Sequence, residues 1–513
     1  MANSGKPRIC IVGSGPGGGI AALELARSCS VTVIVVDTDQ IATPYSQAEE
    51  KKLQELNLGF PFNQEVIRAF GYGGSSNLWH GVFTKMDEED WRFIDLAAGE
   101  EISRKIISLY GELKYAFGEL PREAYSRSPS KSLGNDLYRE LELSGKFRSK
   151  DFFIQKRPFR TRDELRRLKE ICQDIVFVEN ATALYLVGSR DNPSQATALV
   201  VNVNGQKRTI ESDYFILAAG ALESPRIVLQ GNEEGYFPIV NDNIGRYLFD
   251  HPWTVVGEIV SKQGLFRLGL SDVYSSPGLR YRIGYRLQES IDKPQIGTNH
   301  CIAFKPLFFG DFALFKEALK AIISLKPSIM SIFRLLVRFK ISDIFASLFL
   351  LVCEKFGLGV FIRRSLVFCY LEQPVRSESS VSLTNRHDSL GRRIPAINWV
   401  VGNEEAEGIA LVQSTLSGAL SSSDRFSFSP YDNPSGALAS GAHHAGTMRI
   451  GQNEQNGVID KDLKIFGTMN VFVCDSSIFP NYGNSNPTLT LAAFSLRLAR
   501  HLLSLLSGGR LID

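Results

Sequence analysis

Two imidazoles stand side by side near the C-terminus, His443 and His444, within GAHHAGTMRIG at residues 441–451. Imidazole is the side chain whose ordinary pKa lies nearest neutrality, so either ring is suited to take a proton from a bound molecule at physiological pH. The small residues around them leave room for such a molecule. Farther along, Asn486 precedes Pro487 at the head of a run, 489–503, that stays apolar at helical spacing. Between the two lies the strand-like NVFVCDSS, 470–477. A base and a hydrogen-bonding amide are therefore offered by two loops flanking one strand. The histidine pair alone fits equally well one core and one solvated ring with no chemistry, so the elements that would position it carry the argument.

Residues 8–12, RICIV, read as a buried strand, followed by Gly13-Ser-Gly-Pro-Gly-Gly18-Gly19, a helical run to Cys29, and a second buried strand, 31–36, that ends in Asp37. A GxGxxG that follows a strand, opens a helix and is answered by an acid at the end of the next strand points to a dinucleotide site. Gly13 permits the tight turn, Gly15 lets the backbone approach a pyrophosphate, Gly18 permits close helix packing, and Asp37 would accept hydrogen bonds from a ribose. FAD and NAD both satisfy this motif. A second loop of small residues, GYGGSSNLWHG at 71–81, could bring more backbone to an extended ligand. Residues 87–170 read as mostly helical and charged, without chemistry. Strands follow at 175–187 and 214–220, then a helix with Pro225 in its first turn, then NIGRYLFDHP at 243–252. Strand-like runs at 279–287, 365–373, 380–384 and 396–401 suit an antiparallel sheet with one face on the ligand.

A chain of 513 residues is too long for one core and predicts two intertwined domains. With 44% apolar and 22% charged residues it has an ordinary globular composition, and a net charge of +2 gives no argument for nucleic-acid binding. Seven scattered cysteines lack CxxC or metal-ligand spacing, so no metal site and no disulfide framework is expected. They suit reduced core thiols in a cytoplasmic protein. The first strand begins too early for a cleavable signal sequence to precede it.

Taken in order, the glycine-rich turn, GGSSNLWHG, ILAAGALESPRIVL, NIGRYLFDHP, HHAGTMRIG, CDSSIFP and NSNPTLTLAAFSLRLA resemble the glucose-methanol-choline (GMC) oxidoreductase family. The likeness is in particular to its bacterial branch, with pyranose oxidase and the gluconate and fructose dehydrogenases, and in the Asn-Pro segment to cholesterol oxidase. The resemblance implies an α/β fold, a Rossmann-type FAD-binding domain (1–86, 175–252 and 431–513) interleaved with an α+β substrate domain built on an antiparallel sheet (87–174 and 253–430). It implies FAD as cofactor, oxidation of a CH–OH group to a carbonyl, His443 as the base and Asn486 as the amide that orients the substrate oxygen. His444 is then structural. For the cofactor the resemblance implies Gly13, Gly15, Gly18, Asp37, Gly74, Ser75, Asn77, Ala219, Asp475 and Pro487. Leu78 stands where covalently flavinylated relatives carry histidine, which implies a non-covalent flavin. Trp79 stands where other relatives have asparagine. The substrate expected is a sugar or glycoside; a sterol-like alcohol, or a non-redox lyase that retains FAD, are the alternatives. Oxygen, a quinone and a partner redox protein are all open as electron acceptor, and with no CxxCH or iron–sulfur spacing an onward carrier would lie on another chain.

Within the substrate segment, 307–361 is rich in Leu, Ile and Phe. From 311 to 364 it carries nine Lys/Arg against four Asp/Glu. Its longest unbroken apolar run, counting from 344, falls well short of the roughly 18 residues of a membrane span. A helix pair lying on an anionic membrane surface, which would allow a lipid-linked substrate and a peripheral location at the inner face, and a buried lid or oligomer contact both fit it.

Overall fold

The computed structural model describes residues 6–35, 54–58, 67–119, 136–268, 272–273, 279–292, 297–306, 349, 352–353 and 359–507. Asp37 and nearly all of the 307–361 segment lie outside the described residues.

The apolar runs read as buried strands form a five-stranded parallel sheet in the order Val471–Val473, Tyr214–Leu217, Arg8–Val12, Ser30–Ile34, Ile175–Val178. Ile9, Cys10 and Ile11 are fully buried, as strands covered on both faces require. Arg8–Val12 is central: from it the chain runs to Ser30–Ile34 on one side, and from its other neighbour, Tyr214–Leu217, it runs outward the opposite way to Val471–Val473. This makes its C-terminal end a topological switch point, where α/β sheets open a crevice for ligands. The helix Pro16–Leu25 starts at that point. Gly13 takes φ +104°, and a Cβ there would lie 2.3 Å from the carbonyl oxygen of Ala218. Against Pro16–Leu25 pack the C-terminal helix Thr488–Leu506 and the helix Thr161–Ile171. The former is long and apolar enough to cross a membrane, but 61% of that window is buried in the protein, so its apolarity serves the core.

The second large sheet is antiparallel, ordered Phe426–Pro430, Trp253–Ser261, Arg364–Tyr370, Cys301–Pro306, Leu279–Leu287, Phe147–Gln155, Val82–Phe83, with Asp272–Val273 paired to Leu279–Leu287. Two strands expected here, near 279–287 and 365–373, are present. Phe147–Gln155 joins them from a stretch read as helical and charged. The pair near 380 and 396 does not join: Ser380–His387 and Arg393–Trp399 pair with each other and with Gln54–Leu58 in a separate three-stranded sheet. Docking explains the difference. Val381 N donates to Gly245 O at 2.7 Å, and a Cβ on Gly245 would stand 2.2 Å from Val381 O, so this sheet is seated on the NIGRY turn. A third small sheet, Ala181–Gly188, Ala196–Val203 and Gln206–Glu211, completes the nucleotide side.

Gly17 marks the tightest approach of all: a Cβ there would fall 1.9 Å from Cys474 O. Alanine in a helix is favoured over glycine by about 1 kcal/mol, whereas overpacking against immobile backbone costs about 1–3 kcal/mol or more. Gly17→Ala is therefore expected to lower the melting temperature of the apoprotein. A rise would show that the helix does not press on Cys474.

Candidate active site

A cavity of about 1540 Å³, open mouth included, lies at the C-terminal ends of the parallel strands. Its enclosed part is about 260 Å³, near the low end of the roughly 300–1,000 Å³ usual for small-molecule pockets, and the rest opens to solvent. Its walls include the turn 12–17, the segment 67–71 with Gly74 and Ser75 of the second glycine loop, and the C-terminal loops with His443, His444, Asp475, Ser476, Pro487 and Thr488. Ala218–Glu223 closes one side.

Of the residues singled out from sequence, Gly13, Gly15, Gly74, Ser75, Ala219, Asp475, Pro487 and His443 line this cavity. Gly15 has nothing within 4 Å of where a Cβ would be, because that side faces the open space. Gly18 lies behind the wall, where a Cβ would fall 2.2 Å from Gly13 O and 2.9 Å from Ala218 Cβ; its role is helix packing. Asn77 lies outside the cavity wall, with its Oδ1 buried and unpartnered among the described residues. Its Nδ2 donates to Tyr72 O at 2.6 Å and Gly74 O at 3.1 Å, bracing its own loop, as asparagine in a glycine-rich turn tends to do. The loop is tied to the first turn through Ser14, whose Oγ accepts from Gly73 N at 3.1 Å and donates to Gly71 O at 3.2 Å. Asp475 spends its carboxylate on the protein: Oδ2 accepts from Gly220 N at 2.9 Å and Ser224 Oγ at 2.5 Å, and Oδ1 from Ser477 N at 2.8 Å. Burial pushes its pKa up against these bonds. It thus shapes the wall at 219–224. Trp79 Nε1 donates to Phe159 O at 2.8 Å, and His80 is exposed; neither forms part of the cavity wall.

His443 and Asn486 meet. Asn486 Nδ2 stands 3.4 Å from His443 Nε2, and both residues are half-buried. The other ring nitrogen, Nδ1, contacts Nε2 of His251, with ring centroids 4.5 Å apart and planes inclined by 21°. Asp250 organises this arrangement. Its Oδ1 accepts from His251 N at 2.7 Å and His443 N at 3.0 Å, and its Oδ2 from Ser440 Oγ at 2.7 Å and Ala442 N at 3.0 Å. Ala442 sits at φ +61°, so the histidine pair does not continue an extended strand. His444 accordingly contributes to the same cavity wall as His443 instead of facing away, while its ring meets Trp399 edge-on at 5.4 Å. The carbonyls of both histidines are clamped, that of His443 by Tyr482 Oη and that of His444 by Ser476 Oγ at 2.6 Å.

The electrostatics follow from burial. Burial lowers the pKa of His443, with Asp250 opposing. His444 is pushed down to about 4 and His251 to about 3, by burial first in each case. Burial raises the pKa of Asp250, but His444, His251, His443 and the Ser440 hydrogen bond outweigh that, so it stays below the ordinary carboxylate range. Neutral imidazoles beside one ionised carboxylate are what proton abstraction needs. Asp250, His251 and His443 also bring three ligand-type atoms within 4.8 Å of one another, yet each Asp250 oxygen already holds two donors and the two rings face each other. Neither Asp250 nor His251 is marked by a motif for chemistry; the one signal in the sequence is an acid and an imidazole adjacent before Pro252.

Residues 375–495 match the family model described as GMC oxidoreductase. A 6'''-hydroxyparomomycin C oxidase of Streptomyces lividus is 36% identical over 74 residues, 14% of this chain and 14% of that one. A long-chain-alcohol oxidase of Arabidopsis thaliana is 36% identical over 72 residues, 13% of this chain and 10% of that one. The chain thus matches only a small part of the length of these curated relatives. Solved structures correspond throughout: pyridoxine 4-oxidase from Mesorbium loti at TM-score 0.61 and 16% identity, covering 96% of this chain and 99% of that one; formate oxidase from Aspergillus oryzae at 0.58 and 16%, covering 98% and 99%; and an FAD-dependent oxidoreductase from Chaetomium thermophilum at 0.59 and 15%, covering 98% and 99%. At these identities the likeness establishes a common fold.

Two substitutions separate cradle from clamp. Gly15→Ala meets open space, so apoprotein stability should stay within about 0.5 kcal/mol while FAD binding, followed by flavin fluorescence quenching, weakens at least tenfold; unchanged binding would place the pyrophosphate elsewhere. Asp250→Asn turns an amide N–H₂ toward a shell of donors and should cost about 1–3 kcal/mol per donor left unpaired. Because the folded-state pKa of Asp250 is depressed, its stabilising effect is present above about pH 4 and is lost as pH falls through the lower folded value. The melting difference between wild type and variant should therefore be full at neutral pH and shrink in acid.

Proposed function

We propose that this chain, which carries a GMC oxidoreductase domain over residues 375–495, is an FAD-dependent enzyme that oxidises a CH–OH group, of a sugar or glycoside, to a carbonyl. The observation that carries the reading is the meeting of His443 Nε2 and Asn486 Nδ2 at 3.4 Å, with His443 in the wall of a cavity that the glycine turn also lines. The fit of FAD rests on the glycine turn, where Gly15 leaves open the space a Cβ would fill, and on the walls at Gly74, Ala219 and Pro487. Bound there, FAD supplies the acceptor for the hydride that leaves the substrate carbon.

The protein's part is proton management and orientation. A neutral alcohol is a poor hydride donor and its alkoxide a good one, so withdrawing the hydroxyl proton lowers the barrier. His443, held neutral by burial, takes that proton at Nε2. Asn486 donates to the same oxygen and fixes its direction toward the base. The N-terminus of Thr488–Leu506 opens into the cavity at Pro487 and Thr488, and its dipole favours negative charge there. With Leu78 at the position where covalently flavinylated relatives carry histidine, and His80 exposed and outside the cavity wall, we take the flavin to be held without a covalent bond. The choice of a sugar or glycoside follows the sequence reading and is supported by the name of the Streptomyces relative.

Anaerobic addition of sugars, glycosides, long-chain alcohols and sterols should bleach the oxidised-flavin absorbance with at least one class. Retained flavin that no alcohol bleaches would favour the non-redox lyase reading. His443→Ala should keep FAD and reduce it about 10²–10⁴-fold more slowly, the usual contribution of a general base. Since the pKa of His443 is depressed, flavin reduction in the wild type should be level at neutral pH and decline only in acid, below about pH 6.5.

A further inference from the structure

The contact between His443 and His251 assigns a role to a residue outside the catalytic pair. We infer that His251 is a positioning residue that fixes which nitrogen of His443 carries the proton, accepting a hydrogen bond from His443 Nδ1 at its own Nε2. The inference rests on the base role given to His443 above.

A neutral imidazole carries one proton, and a base acting through Nε2 must hold it on Nδ1. The two ends of the His443 ring agree on that placement. At one end Asn486 presents its amide nitrogen, which can only donate, so Nε2 meets it with a lone pair. At the other end Nδ1 faces a single ring nitrogen, His251 Nε2, which must then be the acceptor. His251 is suited to that part. It is 4% exposed, its main-chain N–H is held by Asp250 at 2.7 Å, and its ring lies between Tyr370 and Tyr482, with centroids at 6.3 and 5.9 Å. Its own Nδ1 is buried without a hydrogen-bond partner among the described residues. Nothing at that far end selects a tautomer, so the groups at the His443 end place the proton.

The arrangement differs in one respect from a histidine backed by a carboxylate. His251 stays neutral, because burial and neighbouring His443 hold its pKa near 3 against the pull of Asp250. A neutral acceptor orients the base without raising its pKa as an adjoining carboxylate would, so the base remains free of its extra proton into mild acid. The charged and titratable groups around the pair are Asp250 on the segment preceding His251, His444 beside His443, Tyr482 on the loop before Asn486, Tyr370 and Lys150 on the antiparallel sheet, and Arg68, which acts on His444. Lys150 and Arg68 both oppose protonation of the rings nearest them.

The test is the ¹⁵N spectrum of the FAD-loaded protein labelled in histidine. The chain has seven histidines, and His443→Gln and His251→Gln identify the two signals. The expected result near pH 7.5 is a protonated Nδ1 and a pyridine-type Nε2 on His443. In His251→Phe, which keeps a ring but no acceptor, that single tautomer should be lost to an averaged pair of shifts. In His251→Gln, whose amide oxygen can accept in the same place, it should return. A wild-type His443 protonated at Nε2, or a His251→Phe spectrum unchanged at His443, overturns the inference. If the Phe variant fails to fold, the nitrogen–nitrogen coupling across the His443 Nδ1 to His251 Nε2 contact in the wild type decides: with the proton on His443 it supports the inference, and its absence overturns it. No substrate is needed, so failure of the alcohol-oxidation reading, seen as the absence of bleaching, is registered separately.

Discussion

Asp250 is a fully buried carboxylate, and a buried anion is tolerated only when its lone pairs are taken up by donors. Two donors reach each oxygen, and three of the four come from the short stretch Ser440, Ala442 and His443. The carboxylate therefore imposes a shape on that stretch. It requires consecutive N–H groups to point the same way, which an extended strand does not allow, and Ala442 accommodates this by turning to φ +61°. A residue with a Cβ is disfavoured there by about 1–2 kcal/mol. Each charge-assisted hydrogen bond contributes about 1.5–3 kcal/mol, so the bonds outweigh the strain and the turn persists. His443 is aimed at Asn486 as a consequence. The same anion grips the main chain of His251, so both rings are placed by one charge.

The glycine turn and the loop that carries His443 share a spine. The strand Val471–Val473 ends at Cys474, on whose carbonyl Gly17 rests, and continues into Asp475, which fastens Gly220 and Ser224. Beyond it, Ser477 and Ile478 accept from Met448 N at 3.0 Å and Ile450 N at 2.9 Å, while Ser476 holds the carbonyl of His444. The histidine loop is thus laid along the strand's exit with the regularity of a sheet. The separation between the glycine turn and His443 is set largely by backbone hydrogen bonds, which leaves little freedom for relative drift.

The parallel sheet and its glycine turn were legible because burial on both faces writes uninterrupted apolar runs, and because Gly13 and Gly18 are required by contacts with their immediate neighbours in the fold. What failed was long-range pairing. Phe147–Gln155 reads FRSKDFFIQ, and its buried positions include Lys150 and Gln155; apolar alternation is masked where a strand faces a buried polar cluster. The strands near 380 and 396 were recognised as strands but placed in the wrong sheet, since nothing local tells Val381 that its carbonyl will rest on Gly245. His251 escaped notice because its partner is remote in the chain, and adjacency of that kind is a tertiary fact.

Asn486 is placed by a second buried ion, of opposite sign. Lys150 Nζ has three protons to give, and it gives them to Asp87 at 2.7 Å, Asn484 Oδ1 at 2.7 Å and Ser485 Oγ at 2.8 Å. Around it, Asn299 donates to Asp87 and Asp90 at 3.1 and 3.0 Å, and Asn481 to Glu372 at 2.5 Å. Asp87 and Asp90 do not share the charge equally. Burial lifts both, but Arg286 and Lys150 bring Asp87 below the usual range, whereas Asp87 and Glu372 help drive Asp90 up to about 8. The result is one ionised carboxylate to balance the ammonium, with its neighbour protonated at neutral pH. Apolar packing would hold the 481–486 loop by shape and permit it to slide; two directed N–H bonds from a side chain rooted in the antiparallel sheet, its third proton held by Asp87, do not. The sign of each ion follows from what its loop has unpaired. The 440–443 turn exposes donors and takes a carboxylate, whereas the side chains of Asn484 and Ser485 expose oxygen and take an ammonium. His443 and Asn486, delivered by different loops, are thereby each anchored through a buried ion of opposite sign.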